Sequence, residues 1–232
     1  MATPPPDLVP SPALAWLRKY IWIVAAVVGV GTLTLIRTRL RNIPDPPPVM
    51  YVLPDYALVD QTGAPFTSET LRGKVWVAGF VFTSCPSTCP AVTRAMGDLR
   101  DRFDRMDIDI EMVSFTVDPK KDTPAVLAEY ASEVGATSSK WHFVTGDPAA
   151  IRAVVRDGFK LGIGQPEPQP AADSGGTMYD IAHSTKLAIV DTTGGVRGFY
   201  DIEPDGLDEV FHRSQHVMAE AARAKRSAER GL

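Results

Sequence analysis

"KVWVAGFVFTSCPSTCPAVTRAMGDLRDRF", residues 74–103, decides how this chain folds. Residues 74–82 are a nearly continuous apolar run, the pattern of a central strand covered on both faces. Further on, Val92, Met96, Leu99 and Phe103 recur at i, i+4, i+7 and i+11, which marks one buried face of a helix. Pro90 suits the first turn of that helix, where a missing N–H costs nothing. Between strand and helix stands Cys85-Pro-Ser-Thr-Cys89-Pro, which holds both cysteines of the 232-residue chain.

The same alternation continues on either side. "YALVDQTGAPFT" (56–67) reads as two short strands around a Thr-Gly turn. "IDIEMVSFTV" (108–117) is a second core strand and "WHFVT" (141–145) a third. "DTPAVLAEYASEV" (122–134) predicts a helix with Thr123 as N-cap, Pro124 at the first position, and Leu127, Tyr130, Ala131 and Val134 facing inward. "DPAAIRAVVRDGF" (147–159) repeats the Asp-Pro start, with Ile151, Val154, Val155 and Phe159 as its buried stripe. "GQPEPQPAADSGGT" (164–177) lacks periodicity and reads as a mobile surface loop. "KLAIV" (186–190), "DTTGG" and "VRGFYD" (196–201) make a hairpin, and a last helix begins at about Leu207, with Val210, Phe211 and Val217 on one side. Strand-helix repeats followed by a hairpin and a helix give an α/β fold, a mixed sheet flanked by helices.

The formal net charge of -4 argues against a nucleic-acid binder. Residues 1–49 carry five Lys+Arg and two Asp+Glu, which leaves 19 against 26, or -7, for the remainder. An acidic body of this kind does not adsorb to anionic lipid by charge alone. The N-terminal part is different. Tyr20 to Ile36 is uncharged for 17 residues, between Arg18-Lys19 and the cluster Arg37, Arg39, Arg41. At about 1.5 Å per residue it reaches roughly 26 Å, the short end of a membrane span. Arginines follow where a signal peptide would carry a small-residue cleavage site, so the stretch reads as an uncleaved transmembrane helix, with Trp16, Tyr20 and Trp22 near one interface. Two cations precede the span and three follow, a count that slightly favours an external N-terminus. "IPDPPPV" (43–49) is an extended spacer. The expected organisation is a tail (1–19), an anchor (20–36), a Pro-rich linker (37–50), a globular domain (51–213) and a C-terminal helical tail (214–232).

Both cysteines lie in one short loop, so a disulfide there would constrain little of the unfolded chain. If the loop is near-helical, Cβ atoms at i and i+4 stand roughly 5–6 Å apart, against the 3.5–4.5 Å of a disulfide. A bridging metal fits with less distortion, and the positive end of the following helix favours thiolate, the form needed for attack and for ligation. Metal and redox readings both remain open. Two thiolates suit Cu(I) and need a third ligand, most naturally an imidazole. His183, before the inner strand of the hairpin, borders the same sheet edge as the cysteine loop and is the best candidate. His142 reads as an exposed position of an alternating strand, and His212 with His216 (i, i+4 on the last helix) as a solvated face. Met178 is a soft thioether near His183, read as loop packing. Zinc normally takes four ligands, and no second His or carboxylate stands near either motif.

"PDYALVDQTGAPFTSETLRGKVWVAGFVFTSCPSTCP", "SFTVDPKKDTPAVLAEYA", "WHFVTGD" and "YDIAHSTKLAIVDTTGGV" together resemble the SCO/SenC family, thioredoxin-like copper chaperones that help assemble cytochrome c oxidase. The resemblance runs from about Pro54 to about Phe211. It implies a thioredoxin-like fold and one copper ion, Cu(I) or Cu(II), on Cys85, Cys89 and His183. It also implies a redox-active Cys85–Cys89 pair and an anchor in the cell inner membrane with the domain on the periplasmic side, against the charge count. The implied acceptor is the oxidase subunit II, with other copper chaperones or thioredoxin-like reductants as further partners. Where the family usually has Asp after the first Cys-Pro, this chain has Ser87, a change that bears on thiol pKa, Cu(II) affinity or docking. The competing expectation is a thiol–disulfide oxidoreductase in which Cys85 attacks and Cys89 resolves. Against it, thioredoxin-type sites separate their cysteines by two residues, this one by three, and "AHST" stands where such enzymes use a cis-proline.

Overall fold

The computed structural model describes residues 12–40, 45–84, 89–161, 167–170, 177–180 and 185–231. The chain forms α1 (Pro12–Leu40), β1 (Tyr51–Val52), β2 (Ala57–Asp60), β3 (Pro65–Thr67), β4 (Trp76–Val81), α2 (Cys89–Arg105), β5 (Glu111–Thr116) and α3 (Pro124–Glu133). It continues with β6 (Trp141–Thr145), α4 (Pro148–Arg152), β7 (Glu167–Pro170), β8 (Thr177–Asp180), β9 (Leu187–Val190), β10 (Gly195–Tyr200) and α5 (Pro204–Glu229). Residues 1–44 and 45–232 are separate compact units.

In the first unit, α1 has 29 residues, and Trp22, Val27, Val30, Leu33 and Leu35 are exposed along it. Among the described residues no helix is long and apolar enough to cross a membrane. The spanning segment read over 20–36 therefore rests on the sequence.

The second unit is built on one eight-stranded sheet in the order β1-β10-β9-β4-β5-β6-β2-β3. β4, β5 and β6 run parallel, while β9 and β10 on one side and β2 and β3 on the other run antiparallel to their neighbours. Every residue of β4 and β5 is buried, as the apolar run required. Period-2 alternation then assigns the faces. Trp76, Phe80 and Phe115 point to one side and gather around Phe159, with Phe80 and Phe159 ring centroids 5.0 Å apart. The other side takes α2, α3 and α5. Met96 lies against Gly79, Tyr130 meets Phe143 at 5.9 Å, and Phe103 stacks on Phe211 at 5.5 Å.

The predicted helix starts hold in detail. Thr123 Oγ1 accepts from Val126 N–H at 3.4 Å, and Asp147 Oδ1 accepts from Ala149 and Ala150 N–H at 2.8 and 3.2 Å. Ile151, Val154, Val155 and Phe159 are all buried, although from Ala153 the helix widens to π geometry through Gly158. The Thr-Gly turn between β2 and β3 uses Gly63 at φ 83°, a left-handed conformation that glycine adopts without strain.

Four readings need correction. Val134 is exposed, because α3 ends at Glu133 and the chain has already left the sheet. The stretch 164–177, read as structureless, contributes β7, which pairs antiparallel with β8 (Gln169 opposite Met178). Each of these strands has four residues, too few to show a period in the sequence. The last helix starts at Pro204, which fits a first-turn position, and runs to Glu229 without a break. Part of the Pro-rich linker packs into the second unit: Pro47 is buried, and Met50 N–H donates to Val196 C=O at 2.8 Å.

Candidate metal centre

The parallel strands set the position of the cysteine loop. Val81 ends β4 opposite Thr116, which ends β5, and Val117 N–H closes that ladder on Val81 C=O at 2.9 Å. Phe82, Thr83 and Ser84 lead out of the strand, and Cys89 opens α2. The loop thus occupies the carboxyl edge of the parallel strands, where open α/β sheets place their ligand sites.

Antiparallel pairing brings a second segment to this edge. Trp76 faces Val190, Val77 faces Ile189, and Ala78 faces Ala188. The chain that enters β9 through Thr185 and Lys186 therefore arrives at the end where β4 leaves the sheet. Residues 85–88, which include Cys85 and Ser87, and residues 181–184, which include His183, lie outside the described residues, as do the side chains of Cys89 and Met178. Among the described residues no group of three His, Cys, Asp or Glu side chains could hold a metal ion.

The other histidines are placed clearly. His142 is half-buried, its ring 5.2 Å from that of Phe66 and its Nε2 3.2 Å from Glu111 Oε2. The exposed position read from alternation fails because the Phe66 ring from β3 and the Glu111 carboxylate from β5 stand against the imidazole. Lys74 Nζ donates to the other Glu111 oxygen at 2.7 Å. The hydrogen bond from His142 holds the Glu111 carboxyl at about 2, with Lys74 adding to it against the opposing effect of burial. This cluster sits at the first residue of β5, about 17 Å along the strand from the cysteine edge. His212 is exposed, its ring 5.3 Å from Phe211, and His216 is half-buried; both lie on α5.

One group at the cysteine edge escaped the sequence reading. Asp122 is fully buried. It accepts the Thr83 N–H at 3.2 Å and the Thr83 hydroxyl at 2.6 Å, and it also accepts the Thr116 hydroxyl. Burial pushes this carboxyl up, against the lowering effect of those hydrogen bonds. In the sequence Asp122 looks like punctuation before the capping Thr123. The only available sign was a hydroxyl residue at the end of each of two neighbouring strands.

The SCO1/SenC family matches residues 45–219, from the Pro-rich linker into α5. The chain belongs to this family. Over 166 residues it is 30% identical to the SCO1 protein homolog of Bacillus subtilis, covering 71% of this chain and 81% of that one. It also matches the solved structure of BsSco, a member of the Sco family of cytochrome c oxidase assembly proteins in which a disulfide switch was identified. There the TM-score is 0.64 and the identity 25%, over 75% of this chain and 98% of that one. The structure of Bradyrhizobium japonicum ScoI with copper bound matches with a TM-score of 0.53 and 25% identity, over 72% of this chain and 99% of that one. The mixed sheet with helices on both faces is thus the thioredoxin-like fold of the SCO1/SenC proteins.

Proposed function

We propose that this SCO1/SenC protein is a membrane-anchored copper metallochaperone. It binds one copper ion through Cys85, Cys89 and His183 and passes it to the dinuclear copper site of cytochrome c oxidase subunit II. The observation that carries this reading is the β4–β9 register, which delivers the segment entering β9 to the sheet edge where the cysteine loop begins. Membership of the family and the copper bound by Bradyrhizobium japonicum ScoI support copper as the cargo. Thiolates at a helix start and an imidazole make a soft three-donor set suited to Cu(I). Ligand exchange with an acceptor then needs no bond cleavage. The uncharged stretch Tyr20–Ile36 is read as the anchor in the inner membrane, with residues 45–232 on the periplasmic side.

The disulfide switch of BsSco favours a second role for the same loop. Two thiols of Cys85 and Cys89 reduce an acceptor disulfide, giving up two electrons and two protons as their own S–S bond forms.

Anaerobic titration of the reduced, detergent-solubilised chain with Cu(I) tests the proposal. The wild type takes up one equivalent, Cys85→Ser abolishes tight binding, and His183→Ala weakens it by at least tenfold. If the wild type fails to retain one equivalent, the copper reading falls. If the wild type retains no copper, and dithiol exchange survives His183→Ala intact, the second role stands alone.

A further inference from the structure

The chain leaves β4 under unusual control. The last ladder bond to β5 is Val117 N–H to Val81 C=O. Beyond it, Thr83 is held by backbone and side chain together on one carboxylate, with its N–H 3.2 Å and its hydroxyl 2.6 Å from Asp122 oxygens. Thr116, at the end of β5, gives its hydroxyl proton to the same carboxylate. Its oxygen meanwhile accepts the Asp118 N–H at 3.0 Å, which orients the hydroxyl toward Asp122. The helix that follows does not need this group, since Thr123 is the residue that caps α3. A fully buried carboxylate is costly unless its acceptors are satisfied, and here the donors that satisfy it belong to Thr83 and Thr116.

The other end of the loop is equally fixed. Cys89 begins α2, and α2 is tied down by the Thr93–Tyr130 hydroxyl contact at 2.8 Å and by Met96 against Gly79. Thr83 before the cysteine loop and α2 after it are thus both held in place. Functional groups must stand within about 0.5 Å of productive geometry, and residues that hold ligands in place are commonly worth 10–100-fold in metal affinity.

We propose that Asp122 is a positioning residue for the cysteine loop, fixing through Thr83 the point two residues before Cys85 from which the loop departs. The inference rests on the reading of that loop as the copper and dithiol site.

The test uses the full chain and the variants Asp122→Ala, Asp122→Asn and Thr83→Val. Glu111→Gln, at the opposite end of β5, serves as a stability control. Cu(I) affinity is read by competition with a chromophoric chelator, and the Cys85–Cys89 dithiol–disulfide equilibrium is read against glutathione. Asp122→Ala and Thr83→Val weaken Cu(I) binding at least tenfold and move the dithiol–disulfide constant at least tenfold. Asp122→Asn keeps an acceptor for Thr83 and recovers most of both. Glu111→Gln lowers the melting temperature and moves neither. If Asp122→Ala and Thr83→Val lose stability as the control does but keep both readouts within twofold of wild type, the assignment is overturned. Should the wild type bind no copper, the copper reading fails and the dithiol–disulfide constant alone decides for or against Asp122.

Discussion

Gly79 and Met96 join the strand that precedes the cysteine loop to the helix that follows it. A Cβ placed on Gly79 would stand 2.3 Å from Met96 Sδ, well inside contact distance. The missing side chain lets α2 lie close on β4, and Ser114 Oγ reaches the same sulfur at 3.5 Å.

Gly79→Ala forces that sulfur aside and costs about 1–3 kcal/mol, the range of an overpacked core. Combined with Met96→Ala, it costs less than the two single changes added together, because the shortened side chain vacates the space. Urea unfolding of the four proteins measures this, and strict additivity would show that the contact is not the cause.

The Glu111 cluster makes stability depend on pH at the acid end. With its carboxyl held at about 2 in the folded protein against an ordinary 4.5, the group stabilises the fold above about pH 4.5 and loses that contribution as pH falls toward 2. Glu111→Gln therefore costs roughly 1–3 kcal/mol at pH 7, a gap that narrows steadily below pH 4. Unfolding curves of wild type and variant at pH 7, 4 and 3 give the comparison. A constant gap would mean that Lys74 and His142 do not hold the ionised form.

Arg197 fastens three parts of the second unit. Its guanidinium meets Asp191 at 2.7 Å, the Pro47 carbonyl at 2.7 Å and Glu220 at 2.8 Å. Burial works to raise the Asp191 carboxyl, but hydrogen bonds from Thr193, Arg197 and Gly195 hold it below the usual carboxylate range. Arg197→Met leaves Asp191 short of its cation and costs about 2–4 kcal/mol. A chain starting at residue 45 keeps the melting temperature of the second unit, whereas one starting at residue 54 loses both Pro47 and β1 and melts lower.

The histidines separate in copper titrations. His142→Ala, His212→Ala and His216→Ala keep Cu(I) affinity within twofold, and only His183→Ala loses it. His142→Ala still lowers stability, since it removes a partner of buried Glu111. A comparable loss of copper from any of these three would move the third donor away from His183.

The order of strands and helices was legible because each carries its own period. The run 74–82, the stripe Val92-Met96-Leu99-Phe103 and the Asp-Pro and Thr-Pro helix starts are local signals that tertiary packing had no reason to override. β7 and β8 were not legible, being four residues each, with two prolines in β7, and paired among the described residues only with each other. His142 was misread because alternation tells which face a residue takes, and says nothing of whether side chains of other strands, here Phe66 and Glu111, close over it.

By itself the sequence determined that two cysteines stand in a strand-to-helix loop of an α/β domain behind an apolar N-terminal stretch, and motif by motif it pointed to the SCO/SenC family. Tertiary structure alone decided that β9 runs antiparallel beside β4, that Arg197 closes on Asp191 and Pro47, and that Asp122 reaches back to Thr83. The Asp122–Thr83 and Arg197–Pro47 contacts join residues 39 and 150 positions apart. Their partners are chosen by sheet register and by the need to satisfy buried charge, and neither constraint is written in the local spacing of side chains.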